Sequence, residues 1–428
     1  MKTLDQYGKN RVLYIIEAAV EYFISLLITD AFLATLLTRS GVSDADTGVI
    51  TQLASLSFIA QLFSVFVRRN RGMKRWITIM HLINQLMYVS LYMIPIIEVP
   101  GSVKVACFVV MFLGGHIIAN IVSPYKLSWF MSFVPDNTRG RFTANKEIVS
   151  LIGGMVFSFC MGSLVDYMQS IGREDLGFQL CGITIFVLAM LHLGSLLLVK
   201  DKEPEITDEP VSHVSLRTVA KTLTNKTLLK IILVDVIWHF ATGISVSFYG
   251  TYKINELGFS LQFVSIISIL YSISRVIFSR FFGKFADKYS WTKMLTVCFA
   301  IASLAYCVNM FTVPSNGKVM FTLYYCIYAV SMAGINSGLM NIIFDFVPHN
   351  DRAAALGIKY AVGGSASFLA ALVGRSILSH IQGNGNTLLG MNLYAQQVLS
   401  AIAFILCILL VVYMRVVIVK LKTVKDKE

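Results

Sequence analysis

Long apolar runs dominate this chain and fix its fold class. About twelve stretches reach the roughly 20 apolar residues that a membrane-crossing helix needs. They lie near 12–38, 47–67, 76–97, 103–125, 145–168, 178–199, 229–252, 261–282, 291–312, 318–344, 353–379 and 391–418. In lipid every backbone N–H and C=O must be bonded internally, which leaves only helices and closed barrels. Runs of this length are too long for barrel strands, so the sequence predicts an all-α membrane protein with twelve transmembrane helices. Composition agrees: only 14% of the 428 residues are charged, where a soluble domain carries nearer a quarter.

The chain is also written twice. Phe133-Val134-Pro135-Asp136-Asn137-Thr138-Arg139 recurs 213 residues later as Phe346-Val347-Pro348-His349-Asn350-Asp351-Arg352, and Lys146 and Lys359 each follow seven residues after the Arg. Duplicated apolar halves are the pattern of a membrane transporter. The expected organisation is two pseudo-symmetric six-helix bundles, 1–199 and 229–428, joined by a cytoplasmic linker at 200–228. That linker opens with Lys200-Asp201-Lys202-Glu203-Pro204-Glu205. From Val214 to Leu228 its apolar residues fall at helical spacing, which predicts a short amphipathic helix on the membrane surface.

The net charge of +12 is spread over short loops rather than one face, so it reads as a topology signal and not as a nucleic-acid footprint. About 29 Lys/Arg fall on the N-terminal side of the membrane and about 6 on the other, which predicts that both termini are cytoplasmic. The first apolar run is long and lacks a small-residue cleavage site, so it reads as a signal anchor in the cell membrane. The seven cysteines form no C-x-x-C pair, which suggests neither a metal site nor a disulfide framework. No phosphate-binding loop of the G-x-x-x-x-G-K-[ST] type is present, which argues against ATP drive. No cofactor is expected.

Gly283-Lys284-Phe285-Ala286-Asp287-Lys288-Tyr289-Ser290-Trp291-Thr292-Lys293, between the eighth and ninth runs, resembles the G-x-x-x-D-[RK]-x-x-x-[RK] loop of the major facilitator superfamily. With the duplicated twelve-run layout, the resemblance covers the whole chain at the level of spans and this loop at the level of motif. It implies a transporter with a cytoplasmic gate at Gly283, Asp287, Lys288 and Lys293. Gly283 would let two helix ends approach, and Asp287 would face the start of span eleven or else cap span nine. The matching loop of the first half, Arg68 to Arg75, has no Asp, so its latch would use Asp136 and Arg139. Arg139 and its repeat Arg352 would bind lipid phosphate or a carboxylate of the other half. The chain lacks the Arg in span four and the Gly-Pro pair in span five of the proton-coupled drug exporters. It also lacks the Pro-Glu-Ser-Pro-Arg string of sugar porters.

Ionisable groups inside a membrane are costly, so each needs a reason. In span one Tyr14, Glu17, Glu21 and Ser25 share a face, while Asp30 lies nearly opposite Glu21. A carboxyl that loads and unloads a proton is what proton coupling requires; Glu21 is the first candidate and Glu17 the second. In span seven Asp235 and His239 are i, i+4, with Thr242 and Tyr249 on the same side. Histidine changes charge near neutral pH, which makes this pair the rival proton carrier. Span four aligns His116, Asn120 and Ser123; span ten carries Tyr328, Asn336 and Asn341. The resemblance implies that spans one, four, seven and ten line a central cavity. Arg275 in span eight either reaches the cytoplasmic surface or pairs with a carboxylate or an anionic substrate.

Together these readings predict a secondary active transporter for a small polar organic solute, working by alternating access and coupled to protons or another ion. An efflux transporter for amphipathic compounds, or a transporter-like receptor without transport, is the alternative. The expected partners are the solute, the coupling ion and membrane lipid, with no nucleic acid. The chain is expected to act as a monomer and not as an enzyme.

Overall fold

The computed structural model of the protein describes residues 7–66, 73–135, 138–200, 224–348, 352–388 and 390–422. Thirteen helices organise it. They are α1 (Gly8–Leu27), α2 (Asp30–Arg39), α3 (Asp44–Leu56), α4 (Met73–Met93), α5 (Gly101–Met131), α6 (Arg139–Ser170) and α7 (Glu174–Leu198). After the linker come α8 (Lys226–Ser245), α9 (Leu261–Lys288), α10 (Trp291–Asn309), α11 (Gly317–Phe346), α12 (Arg352–Gly383) and α13 (Ala395–Val416). A two-residue hairpin pairs Thr387–Leu388 with Met391–Asn392.

Among the described residues ten helices are long and apolar enough to cross a membrane, or eleven if the bent pair α1–α2 is one span. The predicted first span is thus broken: its halves meet at 43°. Asp30 opens α2 with φ 49, a left-handed conformation that Asp tolerates better than most residues. The predicted second span, 47–67, is not a continuous α-helix. α3 gives way to a 3-10 helix at Ser57–Phe66, where the Ser57 hydroxyl bonds the Ala54 carbonyl at 2.6 Å in competition with the backbone ladder. Of the predicted amphipathic helix, Val214 to Leu228, residues 214–223 lie outside the described residues. Its end begins α8, which Asn225 caps by accepting from the Thr227 and Leu228 amides.

The chain folds into two compact units. The first holds Met1–Ser43, Phe63–Val211 and Ser260–Ser265; the second holds Asp44–Leu62, Ser212–Phe259 and Ile266–Glu428. In the first, α1 packs on α6 and α7, and α4 on α5 and α7. Its core includes Leu13, Tyr14, Ile77, Trp129, Phe130 and Leu196. Asp166 of α6 accepts from the Leu261 and Gln262 amides at 3.0 and 2.7 Å and so caps the first turn of α9. In the second unit α8 packs on α12 and α13, α10 on α11 and α13, and α3 on α12. On α9, Ile266, Leu270, Ile273 and Ile277 are exposed at helical spacing, an apolar stripe suited to lipid.

The contact of α8 with α12 depends on Gly243. A Cβ there would lie 2.8 Å from the Ser367 Cα and Oγ and closer still to its carbonyl oxygen, whereas a Cβ at Gly283 would meet nothing within 4 Å. Gly243→Val is therefore expected to cost about 1–3 kcal/mol through overpacking. Gly283→Val is the control that leaves the midpoint of thermal unfolding in detergent unchanged.

Candidate functional site

The first unit buries a charged cluster on α1, α5 and α7. Glu17 and Glu21 stand one turn apart on α1. From α5, Lys126 reaches between them, with Nζ 2.7 Å from Glu17 Oε1 and 2.5 Å from Glu21 Oε2. From α7, His192 Nε2 lies 2.8 Å from the same Glu17 oxygen. The Gln85 carboxamide of α4 donates to His192 Nδ1 at 2.7 Å, which leaves the Nε2 proton for Glu17. His81, also on α4, puts Nδ1 3.9 Å from Glu21 Oε1, and its ring meets His192 edge-on at 5.2 Å.

The two carboxylates differ in access. Glu17 is 0% exposed, whereas the Glu21 side chain is 42% exposed. A buried carboxylate is tolerated only when paired and hydrogen-bonded; Lys126 and His192 do this for Glu17. Tyr14, one turn before Glu17, stacks on Phe130 with ring centroids 4.1 Å apart. Its hydroxyl lies 3.5 Å from Lys146 Nζ. Ser25 donates to the Tyr22 carbonyl and Asp30 sits at the bend, so neither extends the cluster. A hollow of about 300 Å³ in the same unit is lined by Leu36, Arg39, Tyr92, Pro95 and Phe178; none of the cluster residues borders it.

The second unit holds a smaller cluster. Lys359 of α12 lies 3.1 Å from Asp235 Oδ1, and His239 Nε2 lies 3.6 Å from Oδ2. Asp235 and Lys359 are 1% and 5% exposed. Gly363, one turn along α12, makes the room: a Cβ there would run into the Asp235 carboxylate and His239 Cδ2. Thr242 instead donates to carbonyls of its own helix.

Several expected cavity residues have other surroundings. His116 Nδ1 bonds the Phe112 carbonyl at 2.9 Å and Asn120 donates to the His116 carbonyl at 3.0 Å; Ser123 is exposed. Tyr249 and Tyr328 are buried inside the second unit. The Tyr249 hydroxyl accepts from Ser245 and Asn309, and Tyr328 stacks on Tyr324. Asn336 is exposed, and Asn341 donates to the Ser337 carbonyl.

The gate residues also fall differently. Gly283 borders open space, so it does not serve close helix approach. Asp287 lies exposed in the last turn of α9, and the cap of α10 is the Ser290 hydroxyl, which accepts from the Lys293 amide. Lys288 and Lys293 both reach the Tyr289 ring. Arg352 donates to the Val347 and Phe344 carbonyls at 3.1 and 3.0 Å, at the end of α11. Arg139 starts α6. Asp136 lies outside the described residues. Arg275 is exposed beside Tyr271, with no carboxylate partner among the described residues.

Many lipid-length helices, with interior charges paired from one helix to another, define a multi-pass membrane protein. The family model described as Major Facilitator Superfamily matches residues 118–371, and the chain belongs to that superfamily. The structure is similar to a nucleoside transporter, NupG, with TM-score 0.72 and 12% identity over 98% of this chain and 100% of that one. It is similar to a D-xylose-proton symporter, with TM-score 0.68 and 13% identity over 94% and 97%. It also resembles a bacterial homolog of the human lysosomal transporter Spinster, with TM-score 0.65 and 14% identity over 98% and 97%. At these identities the likeness is one of fold. No curated protein sequence matches the chain.

Proposed function

We propose that the chain is a proton-coupled secondary transporter that moves a small polar organic solute by alternating access. In this reading two six-helix halves, 1–199 and 229–428, rock about a central cavity. α3 with its 3-10 extension completes twelve spans, and both termini face the cytoplasm of a cell whose plasma membrane holds the protein as a monomer. One observation carries the proposal. Two carboxylates share a single lysine within hydrogen-bonding distance, one sealed and one open (Glu17 and Glu21). With neutral imidazoles the cluster keeps one negative charge, which a proton or a solute group balances. A site that changes its charge with its occupant is what coupling requires. The likeness of fold to a nucleoside transporter and a D-xylose-proton symporter agrees with a polar solute and a proton.

Uptake into proteoliposomes, with and without an imposed pH gradient, tests this for a solute first found by thermal-shift screening. The wild type is expected to concentrate solute only under the gradient. Glu21→Gln is expected to cut gradient-driven uptake about tenfold or more, a change of about 1.4 kcal/mol, while leaving counterflow measurable. Unimpaired gradient-driven uptake in Glu21→Gln would sink the assignment to Glu21.

A further inference from the structure

We infer that the open oxygen of Glu21 receives a primary or secondary ammonium group of the transported solute. The inference rests on the reading of the first unit's cluster as a solute site and names the chemical group that the site takes.

The charges do not balance from within. Glu17 and Glu21 contribute two negative charges, and Lys126, between them at 2.7 and 2.5 Å, contributes one positive. His192 bonds Glu17 through Nε2 and accepts from Gln85 at Nδ1, the pattern of a neutral ring. His81 is buried, and neither of its nitrogens has a hydrogen-bond partner among the described residues, which also suits a neutral ring. Lys146, on α6, meets the hydroxyl and the face of Tyr14, and no described carboxylate lies within ion-pair distance of it. Among the groups within ion-pair distance of one another the surplus is therefore one negative charge.

Access locates that surplus. Glu17 is sealed and holds both Lys126 and His192. Glu21 spends Oε2 on Lys126, and its 42% exposed side chain leaves Oε1 with His81 at 3.9 Å, beyond hydrogen-bond length. Lys126 itself shows that an ammonium nitrogen fits this carboxylate at close range. The acceptor is an oxygen, with imidazole nitrogen beside it, so it favours N–H donors. A quaternary ammonium, which aromatic faces recognise, has no such proton to give.

Binding can be read without transport. Purified full-length protein is titrated, with thermal unfolding as the readout, against methylammonium, putrescine and tyramine. Their neutral counterparts are methanol, 1,4-butanediol and 4-(2-hydroxyethyl)phenol. At least one amine is expected to raise the unfolding midpoint saturably where its alcohol does not. Glu21→Gln is expected to weaken that amine by about tenfold or more. Glu21→Asp, which keeps the charge, weakens it less, and Asp175→Asn, an exposed carboxylate elsewhere in the unit, leaves it unchanged. The inference is overturned if no amine outperforms its alcohol, or if Glu21→Gln keeps the amine effect. Amine binding without gradient-driven uptake would refute the transport reading alone. Gradient-driven uptake of a solute with no amine binding would refute this inference alone.

Discussion

Lys126→Met is expected to abolish uptake and lower thermal stability, and adding Glu17→Gln is expected to restore the stability without the uptake. Lys126 is 7% exposed and Glu17 is 0% exposed. Removing the lysine strands a buried carboxylate, and breaking one side of such a pair costs about 3–5 kcal/mol. Removing both charges instead leaves groups of similar volume that are neutral or mildly stabilising relative to the pair. Glu21 needs no such rescue, because its exposed side chain can keep water. Under the proposed function uptake follows different logic: the double variant has lost the lysine that the two carboxylates share, so it stays inactive although folded. Unfolding in detergent and proteoliposome uptake of the four variants of the cycle measure both effects. A double variant as unstable as Lys126→Met would mean that Lys126 acts through packing of its alkyl chain. A double variant that transports would remove the cluster from the mechanism.

Much of this cluster could be seen in the sequence. Glu17 and Glu21 are carboxylates in an apolar run, and the physics of lipid makes any such group conspicuous. Lys126 escaped because an apolarity reading ends span four at Tyr125, whereas α5 runs on to Met131 with Pro124 inside it. At about 100° per residue Lys126 also falls some 80° from His116, off the stripe formed by His116, Asn120 and Ser123. The first two groups of that stripe bond carbonyls of their own helix, an outlet that periodicity cannot distinguish from a cavity. His81 and His192 sit mid-span and carried the same cost signal as Glu17. What identifies them is which neighbour they meet, and that depends on how α4 and α7 pack against α1. In the second half the repeat itself pointed to Lys359, while its partner Asp235, on another helix, emerged only with the contact of α12 and α8. The break between α1 and α2 had a local cause in Asp30, but apolar runs do not report backbone direction. The motif at Gly283–Lys293 did not reveal the cap: Ser290 begins α10, while Asp287 ends α9.

Asp235→Asn and Lys359→Met are each expected to lower stability, by about 3–5 kcal/mol, since each leaves the other group buried without its counter-charge. The ion pair is 3.1 Å long and nearly closed to solvent, so water cannot replace the missing partner. The double variant Asp235→Asn/Lys359→Met is expected to recover most of that loss and to keep gradient-driven uptake within about threefold of wild type, a difference of under about 0.7 kcal/mol. That expectation separates the two candidate proton carriers, because His239 is 3.6 Å from Asp235 and loses its carboxylate in the double variant. If the second unit carried the proton, the double variant would fold and bind solute yet no longer respond to the gradient. If the first unit carries it, only the Glu17–Lys126 cycle uncouples stability from uptake. The two cycles test the same ion-pair physics in two separately packed units, so a difference between them reports function and not the general cost of burying charge.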